Sequence, residues 1–358
     1  MMPLDPFSVL GRPSVVGTGL LALDVVLSGE DDAPRSFAGG TCGNVLTILS
    51  WLGWDAFPVS RLGSDDAGRR AAADLRRFGV QMNVARLTPR AATPIIIERL
   101  RTSSDGQSKH QFSLSCPVCG SWLPRYQPVT ADAARRAFSR LPRASVFFFD
   151  RASRGALVLA KAYADKGALV MFEPSGNSDP SQLKEALSLA HICKYSAERF
   201  RSFRWSVNQR PLVEIQTLGE AGIRYRTSLA GSNDNKWRTD SALPIGQIRD
   251  AAGAGDWFSA GIIHRLGQEA LAGFQATPEG KLKAALHFAR ALAAWNCQFE
   301  GARGGMYAVA AASFRQQVLN LLAGKVLAPH SPFRLRANRS SQFHCPIPTC
   351  RVRMHKPQ

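Results

Sequence analysis

Short runs of β-branched and aromatic residues recur along the chain, and between them lie longer stretches carrying a single apolar stripe. Strands are predicted at Ser14–Gly17, Ala56–Arg61, Pro94–Leu100, Ser145–Phe149, Ala168–Phe172, His191–Lys194, Leu212–Thr217 and Ile223–Thr227. Helices are predicted where capping residues precede the stripes. Asp65 opens one from about Ala67 to Phe78, closed by Gly79; Thr130 precedes Ala131–Arg140; Ser153 opens another that Gly167 ends. Further on, Leu282, Leu286, Ala289 and Ala293 share one face of a helix over Lys281–Asn296. Alternation of this kind implies a mainly parallel sheet covered by helices on both faces. One section breaks the rhythm. From Pro94 to about Pro128 the chain reads as extended strands around a turn at Ser103–Gly106, a small β insertion expected to project over the strand ends.

Composition narrows the class. At 45% hydrophobic and 20% charged residues, the 358-residue chain is too apolar for disorder. No run approaches the ~18–20 apolar residues of a membrane helix, and no basic region precedes an apolar stretch at the start, so neither a membrane partner nor a secretory leader is expected. The net charge is +18, and half of it lies beyond Glu300, where nine basic residues follow with no acid. Residues 1–327 read as one domain with its insertion at about 94–128. Residues 328–358 read as a basic, poorly ordered tail, with a solvated terminus preferred to a nucleic-acid contact. Seven scattered cysteines do not form a disulfide framework, which points to a reducing cytoplasm.

The strongest chemical signal is Asp250-Ala-Ala-Gly253-Ala254-Gly255-Asp256, opening an apolar helix. Small residues at a helix N-terminus let backbone amides converge on an anion. A carboxylate beside such a nest makes sense if Asp256 accepts a proton from a neutral hydroxyl while the amides hold a phosphoryl group. Spacing alone also allows a Gly-rich turn capped by Asp.

The GAGD sequence resembles the C-terminal signature of the ribokinase/pfkB carbohydrate kinases, and other landmarks follow in that family's order. Gly39-Gly40-Thr-Cys-Gly-Asn44 resembles the N-terminal signature, continued by Gly63-Ser-Asp65-Asp-Ala-Gly68 and Leu75–Val80. Thr217-Leu-Gly219-Glu-Ala-Gly222 resembles the nucleotide-side strand and turn, and Gly301-Ala302-Arg303-Gly304 the closing loop near the adenine. The resemblance covers about residues 14–325. It implies a three-layer α/β/α ribokinase-like fold, with a mainly parallel central sheet and a β lid, and transfer of the ATP γ-phosphate to a hydroxyl of a sugar or sugar-like molecule. A nucleoside is the alternative acceptor. By resemblance Asp256 is the catalytic base and Gly253, Ala254 and Gly255 form the anion hole. Asp24, Gly39, Gly40 and Asn44 bind the acceptor; Thr217, Gly219, Gly222, Gly301 and Ala302 bind ATP. Mg²⁺ and a monovalent cation are implied cofactors, and a homodimer is expected because lids in the family sometimes pair.

Two features depart from the pattern. Ala251 and Ala252 stand where the family often has hydroxyls, and the Asn-x-x-Glu element expected after Lys194 reads Ser196-Ala-Glu198-Arg199. Glu198 is the nearest carboxylate for Mg²⁺, while Ser196 with Glu198 also suits a plain helix-start turn. A non-catalytic sugar sensor is therefore the rival reading, with the retained Asp256 against it. Separately, Cys116-Pro-Val-Cys119-Gly120 has the form of a zinc knuckle, and Cys345 and Cys350 are the comparable pair, with His110 and His344 as spare ligands. Ordinary thiols are preferred there, for want of a second knuckle. Cys42, Cys193 and Cys297 are expected in the core.

Overall fold

The computed structural model describes residues 5–27, 34–85, 87–102, 108–174, 179–200, 211–229 and 236–327, together with Cys345. The first half contains β1 (Ser14–Thr18), β2 (Ala22–Leu27), β3 (Arg35–Gly39), α1 (Thr41–Trp51), β4 (Asp55–Val59), β5 (Leu62–Gly63), α2 (Asp66–Arg77), β6 (Leu87–Thr88), β7 (Ile95–Thr102) and β8 (Ser108–Ser113). There follow α3 (Ala131–Phe138), β9 (Val146–Phe149), α4 (Arg154–Asp165), β10 (Leu169–Phe172), α5 (Pro180–Leu189), β11 (Ile192–Ser196), β12 (Val213–Thr217), β13 (Ile223–Thr227) and β14 (Arg238–Asp240). The chain then turns helical with α6 (Ala254–Leu266), α7 (Ala270–Gln275), α8 (Glu279–Asn296), α9 (Gly304–Ala308) and α10 (Ala311–Leu322).

Eight strands form the central sheet in the order β14-β13-β12-β11-β10-β9-β1-β4. The pairings from β4 across to β12 are parallel, and β13 and β14 close the edge antiparallel. Its strands are apolar on both faces because both are covered. Val146 and Phe148 point into one core with Trp257, Phe288 and Trp295, whereas Phe147 and Phe149 point into a second with Leu157, Leu159 and Tyr163. Period-two alternation between two cores makes the three layers. The predicted caps hold three helices: Asp65 Oδ1 accepts from Gly68 N at 2.7 Å, and Thr130 and Ser153 accept from Ala133 N and Ala156 N, both at 3.3 Å.

A second sheet, in the order β3-β2-β7-β8, forms the lid. It is wider than the 94–128 segment alone, because β2 and β3 join it and β2 pairs parallel with β7. Neither of these strands was expected. Asp24 interrupts the apolar run of β2, and β3 ends in glycine, so both lack a clean strand signature. The basic tail lies outside the described residues apart from Cys345.

Candidate active site

Helix α6 sets the position of Asp256. Gly253, at φ 74°, caps the helix in the left-handed region, and a Cβ there would overlap the Ala302 backbone. One residue past Asp256, Trp257 is fully buried, packs edge-on against Trp295 with centroids 5.1 Å apart, and donates from Nε1 to Ala302 O at 3.1 Å. Burial of an indole of this size is worth roughly 4–6 kcal/mol as an upper figure, which anchors the helix start. The Ala254 amide is used within the turn, donating to Ala251 O at 3.2 Å. The other first-turn amides, those of Gly255 and Asp256, have no intrahelical acceptor.

Asp256 is 9% exposed. Its Oδ2 accepts from Asn44 Nδ2 at 2.7 Å, and among the described residues its Oδ1 has no donor. Burial, reinforced by the nearby charge of Glu173, pushes its carboxyl up to about 7; the Asn44 hydrogen bond and Lys194 pull the other way. Asn44 is a polar residue in a helix buried along most of its length, and both ends of its amide are used. Arg303 Nε donates to Asn44 Oδ1 at 3.0 Å, which fixes the amide so that Nδ2 faces Asp256. Arg303 also donates to Ala38 O at 2.5 Å and pairs with Asp74 at 2.9 Å.

Asp24 lies on the lid sheet, with its carboxylate directly over Gly39, where any Cβ would overlap it. Its Oδ1 is buried without a partner among the described residues. Burial raises its carboxyl to about 7, against the opposing pull of Arg303 and the Gly40 amide. Two further orphaned atoms are close in the fold: Glu98 Oε1, from lid strand β7, and Arg303 Nη1. Asp24, Glu98 and Arg303 line one space of about 10 Å³, room for a single water or hydroxyl. Burial, with the charges of Asp250 and Asp24, raises the Glu98 carboxyl well above the usual carboxylate range, which favours its protonated form.

On the other side of the α6 N-terminus opens a cavity of about 900 Å³. Thr217, Gly219 and Gly222 line it, as do Ala254 and Gly255. Gly301 and Ala302 are placed elsewhere. They line the small space beside Asp24; Gly301 N donates to Asp250 Oδ2 at 2.7 Å, and Ala302 O receives Trp257. Cys297, expected in the core, instead lines the large cavity, whereas Cys42 and Cys193 are fully buried.

Sequence reasoning passed over a buried cluster beneath the loop. Lys194 Nζ donates to Gly255 O at 2.9 Å and is paired with Glu173, whose other oxygen accepts from Ser259 Oγ at 2.6 Å. A lysine inside the apolar strand Ile192–Ser196 was the available signal. Ser196 accepts from Glu198 N at 3.2 Å in a turn, and the Glu198 side chain is exposed at the rim of the large cavity. Cys116 and Cys119 lie in the lid segment, outside this constellation.

The pfkB family carbohydrate kinase model matches residues 150–308. Among curated proteins, the chain is 26% identical over 280 residues to probable fructokinase-4 of Arabidopsis thaliana, covering 70% of this chain and 82% of that one. It is 26% identical over 248 residues to aminoimidazole riboside kinase of Salmonella typhimurium, covering 64% and 73%. Among solved structures, a fructokinase from Xylella fastidiosa with bound ATP superposes with a TM-score of 0.64 at 20% identity, over 87% of this chain and 98% of that one. Aminoimidazole riboside kinase from Salmonella enterica, complexed with aminoimidazole riboside and an ATP analog, superposes with a TM-score of 0.63 at 20% identity, over 86% and 99%. The fold is thus that of the ribokinase-like kinases. Over residues 150–308 the sequence is similar to the pfkB carbohydrate kinases.

Proposed function

We propose that this protein transfers the γ-phosphoryl group of ATP to a hydroxyl of a sugar or sugar-like molecule, with Asp256 as the general base. The observation that carries this reading is the split use of one carboxylate. Asn44 holds Oδ2, while Oδ1 has no donor among the described residues and belongs to the residue next to Gly255, which lines the large cavity. In this reading the nucleotide occupies that cavity against Thr217, Gly219 and Gly222. The acceptor lies toward Asp24, Gly39, Gly40 and Asn44, where the orphaned oxygen of Asp24 takes a hydroxyl hydrogen. Asp256 Oδ1 takes the proton of the reacting hydroxyl, the freed oxygen forms its bond to the γ-phosphorus, and ADP leaves. First-turn amides of α6 meet the charge on the transferring group.

Glu198 suits Mg²⁺. It is a hard oxygen donor facing the large cavity, with no cation paired to it among the described residues, and Mg²⁺ keeps most of its waters beside one or two carboxylates. When bound, the ion neutralises charge on the phosphates. A monovalent cation is less well matched by side chains: Asp250 already accepts from the amides of Ala252 and Gly301, and no three carboxylate or imidazole groups converge there among the described residues. No step is assigned to it. A fructokinase from Vibrio cholerae was solved with fructose, ADP and potassium ion bound, so potassium dependence merits measurement.

A homodimer through the lid is part of the same proposal, since Phe112, Leu114 and Trp122 are exposed on and beside its outer strand β8. No described helix is long and apolar enough to cross a membrane, and a cytoplasmic location rests on the cysteine usage. The test is incubation with Mg-ATP and a panel of sugars and nucleosides, with ³¹P detection of a phosphorylated acceptor. Acceptor-dependent product is expected; tight acceptor binding without turnover would favour the sensor.

A further inference from the structure

The knuckle sequence in the lid has acquired a partner from the far end of the chain. Cys116 Sγ lies 3.4 Å from Cys345 Sγ, and Cys119 Sγ lies 3.5 Å from the same atom. All three sulfurs fall within 4.8 Å of one another. These separations are far longer than the ~2.05 Å of a disulfide. They are near the ~3.8 Å expected between thiolates held tetrahedrally at ~2.3 Å from one zinc ion. The local backbone is arranged to bring the first two sulfurs together. Ser115 and Trp122 form an isolated antiparallel β-bridge, Cys116 N donates to Ser121 O at 2.8 Å, and Gly120 N donates to Cys116 O at 2.9 Å. Gly120 closes this turn at φ 71°, in the left-handed region that favours glycine. Cys116 is only 2% exposed, and Cys119 and Cys345 pack against the same core.

We propose that Cys116, Cys119 and Cys345 bind a zinc ion that fastens the C-terminal segment to the lid. Cys345 lies 229 and 226 residues from Cys116 and Cys119 in sequence, yet it meets both through sulfur. A soft divalent cation supplies a reason for that meeting, with the three thiol protons released on binding. The fourth tetrahedral position goes to water. The site is remote in role from phosphoryl transfer, and the proposal stands whether or not the kinase reading does.

The test is metal analysis of the full-length protein purified without chelator, beside Cys116→Ser, Cys345→Ser and the control Cys297→Ser. About one zinc per chain is expected in the wild type and the control, falling at least ~10-fold in the two site variants. Replacing zinc by cobalt gives a readout that does not depend on those variants folding. A thiolate-to-cobalt charge-transfer band with visible tetrahedral bands is expected in the wild-type protein. Reduced wild-type protein that holds no zinc and develops no such bands with cobalt overturns the proposal, as does a disulfide among these cysteines found under non-reducing, metal-replete conditions.

Discussion

Asn44 donates to Asp256 Oδ2 at 2.7 Å, joining the first turn of an early helix to the first turn of a late one. Arg303 makes the bond directional by occupying the carbonyl end of the same amide. The hydrogen bond favours the ionised carboxylate, against the burial that disfavours it.

Replacing Asn44 by Leu removes that support. The pH at which Asp256 becomes a base moves upward, on the order of half a unit or more, and turnover at neutral pH falls roughly 10-fold. A pH–rate profile of Asn44→Leu superimposable on that of the wild type contradicts this role.

In the wild type, kcat/KM for the acceptor rises with pH and levels off above about 7, because the base works only when deprotonated and its carboxyl is raised to about 7. The sign for stability is opposite. The folded protein binds this proton more tightly than the unfolded chain, whose carboxyl titrates near 3.8. The group's stabilising contribution is thus complete below that value and is lost as pH rises through about 7. Asp256→Asn, which still offers Asn44 an acceptor, melts at or above the wild-type temperature at alkaline pH; a clearly lower melting temperature contradicts the account.

Arg303 is a buried cation shared by Asp74, Asn44 and the Ala38 carbonyl. Arg303→Met leaves Asp74 uncompensated and costs about 3–5 kcal/mol in denaturant unfolding. Adding Asp74→Asn recovers part of that loss, and the coupling in the double-mutant cycle measures the pair. Fully additive losses contradict it.

Gly253→Ala meets both a left-handed backbone and the Ala302 carbonyl. Strain of about 1–2 kcal/mol from the backbone alone is expected, with the clash on top. Thermal unfolding checks the stability, and a shifted loop appears as weaker ATP binding. Ala294→Trp is the complementary probe, because Ala294 lines the large cavity. Its KM for ATP rises roughly 10-fold or more while KM for the acceptor holds, if the nucleotide lies there.

The middle of the sheet was readable from the sequence because strands such as Val146–Phe149 and Leu169–Phe172 are apolar runs of four residues, buried on both sides, with recognisable caps on the helices between strands. The lid was only half readable. Strand β2 carries Asp24 and β3 ends at Gly39, and the features that make those residues candidates for acceptor binding are the ones that hide the strands. Asp256 and Asn44 could be named from their motifs, but the hydrogen bond between them spans 212 residues and needed the fold. Lys194, in strand Ile192–Ser196, Glu173, just past Phe172, and Glu98, beside Arg99 in β7, escaped notice because an isolated charged residue has no spacing to reveal a partner distant in sequence. Cys345 was visible only as one of a pair in a tail without periodicity, and its proximity to Cys116 is a purely tertiary fact.

The most direct measurement is single-turnover phosphoryl transfer from Mg-ATP to the best acceptor at about pH 8, comparing the wild type with Asp256→Asn. Loss of a positioned base is expected to slow the chemical step ~10²–10⁴-fold, with ATP binding little changed. A rate within a few-fold of the wild type would mean that Asp256 does not take the acceptor's proton.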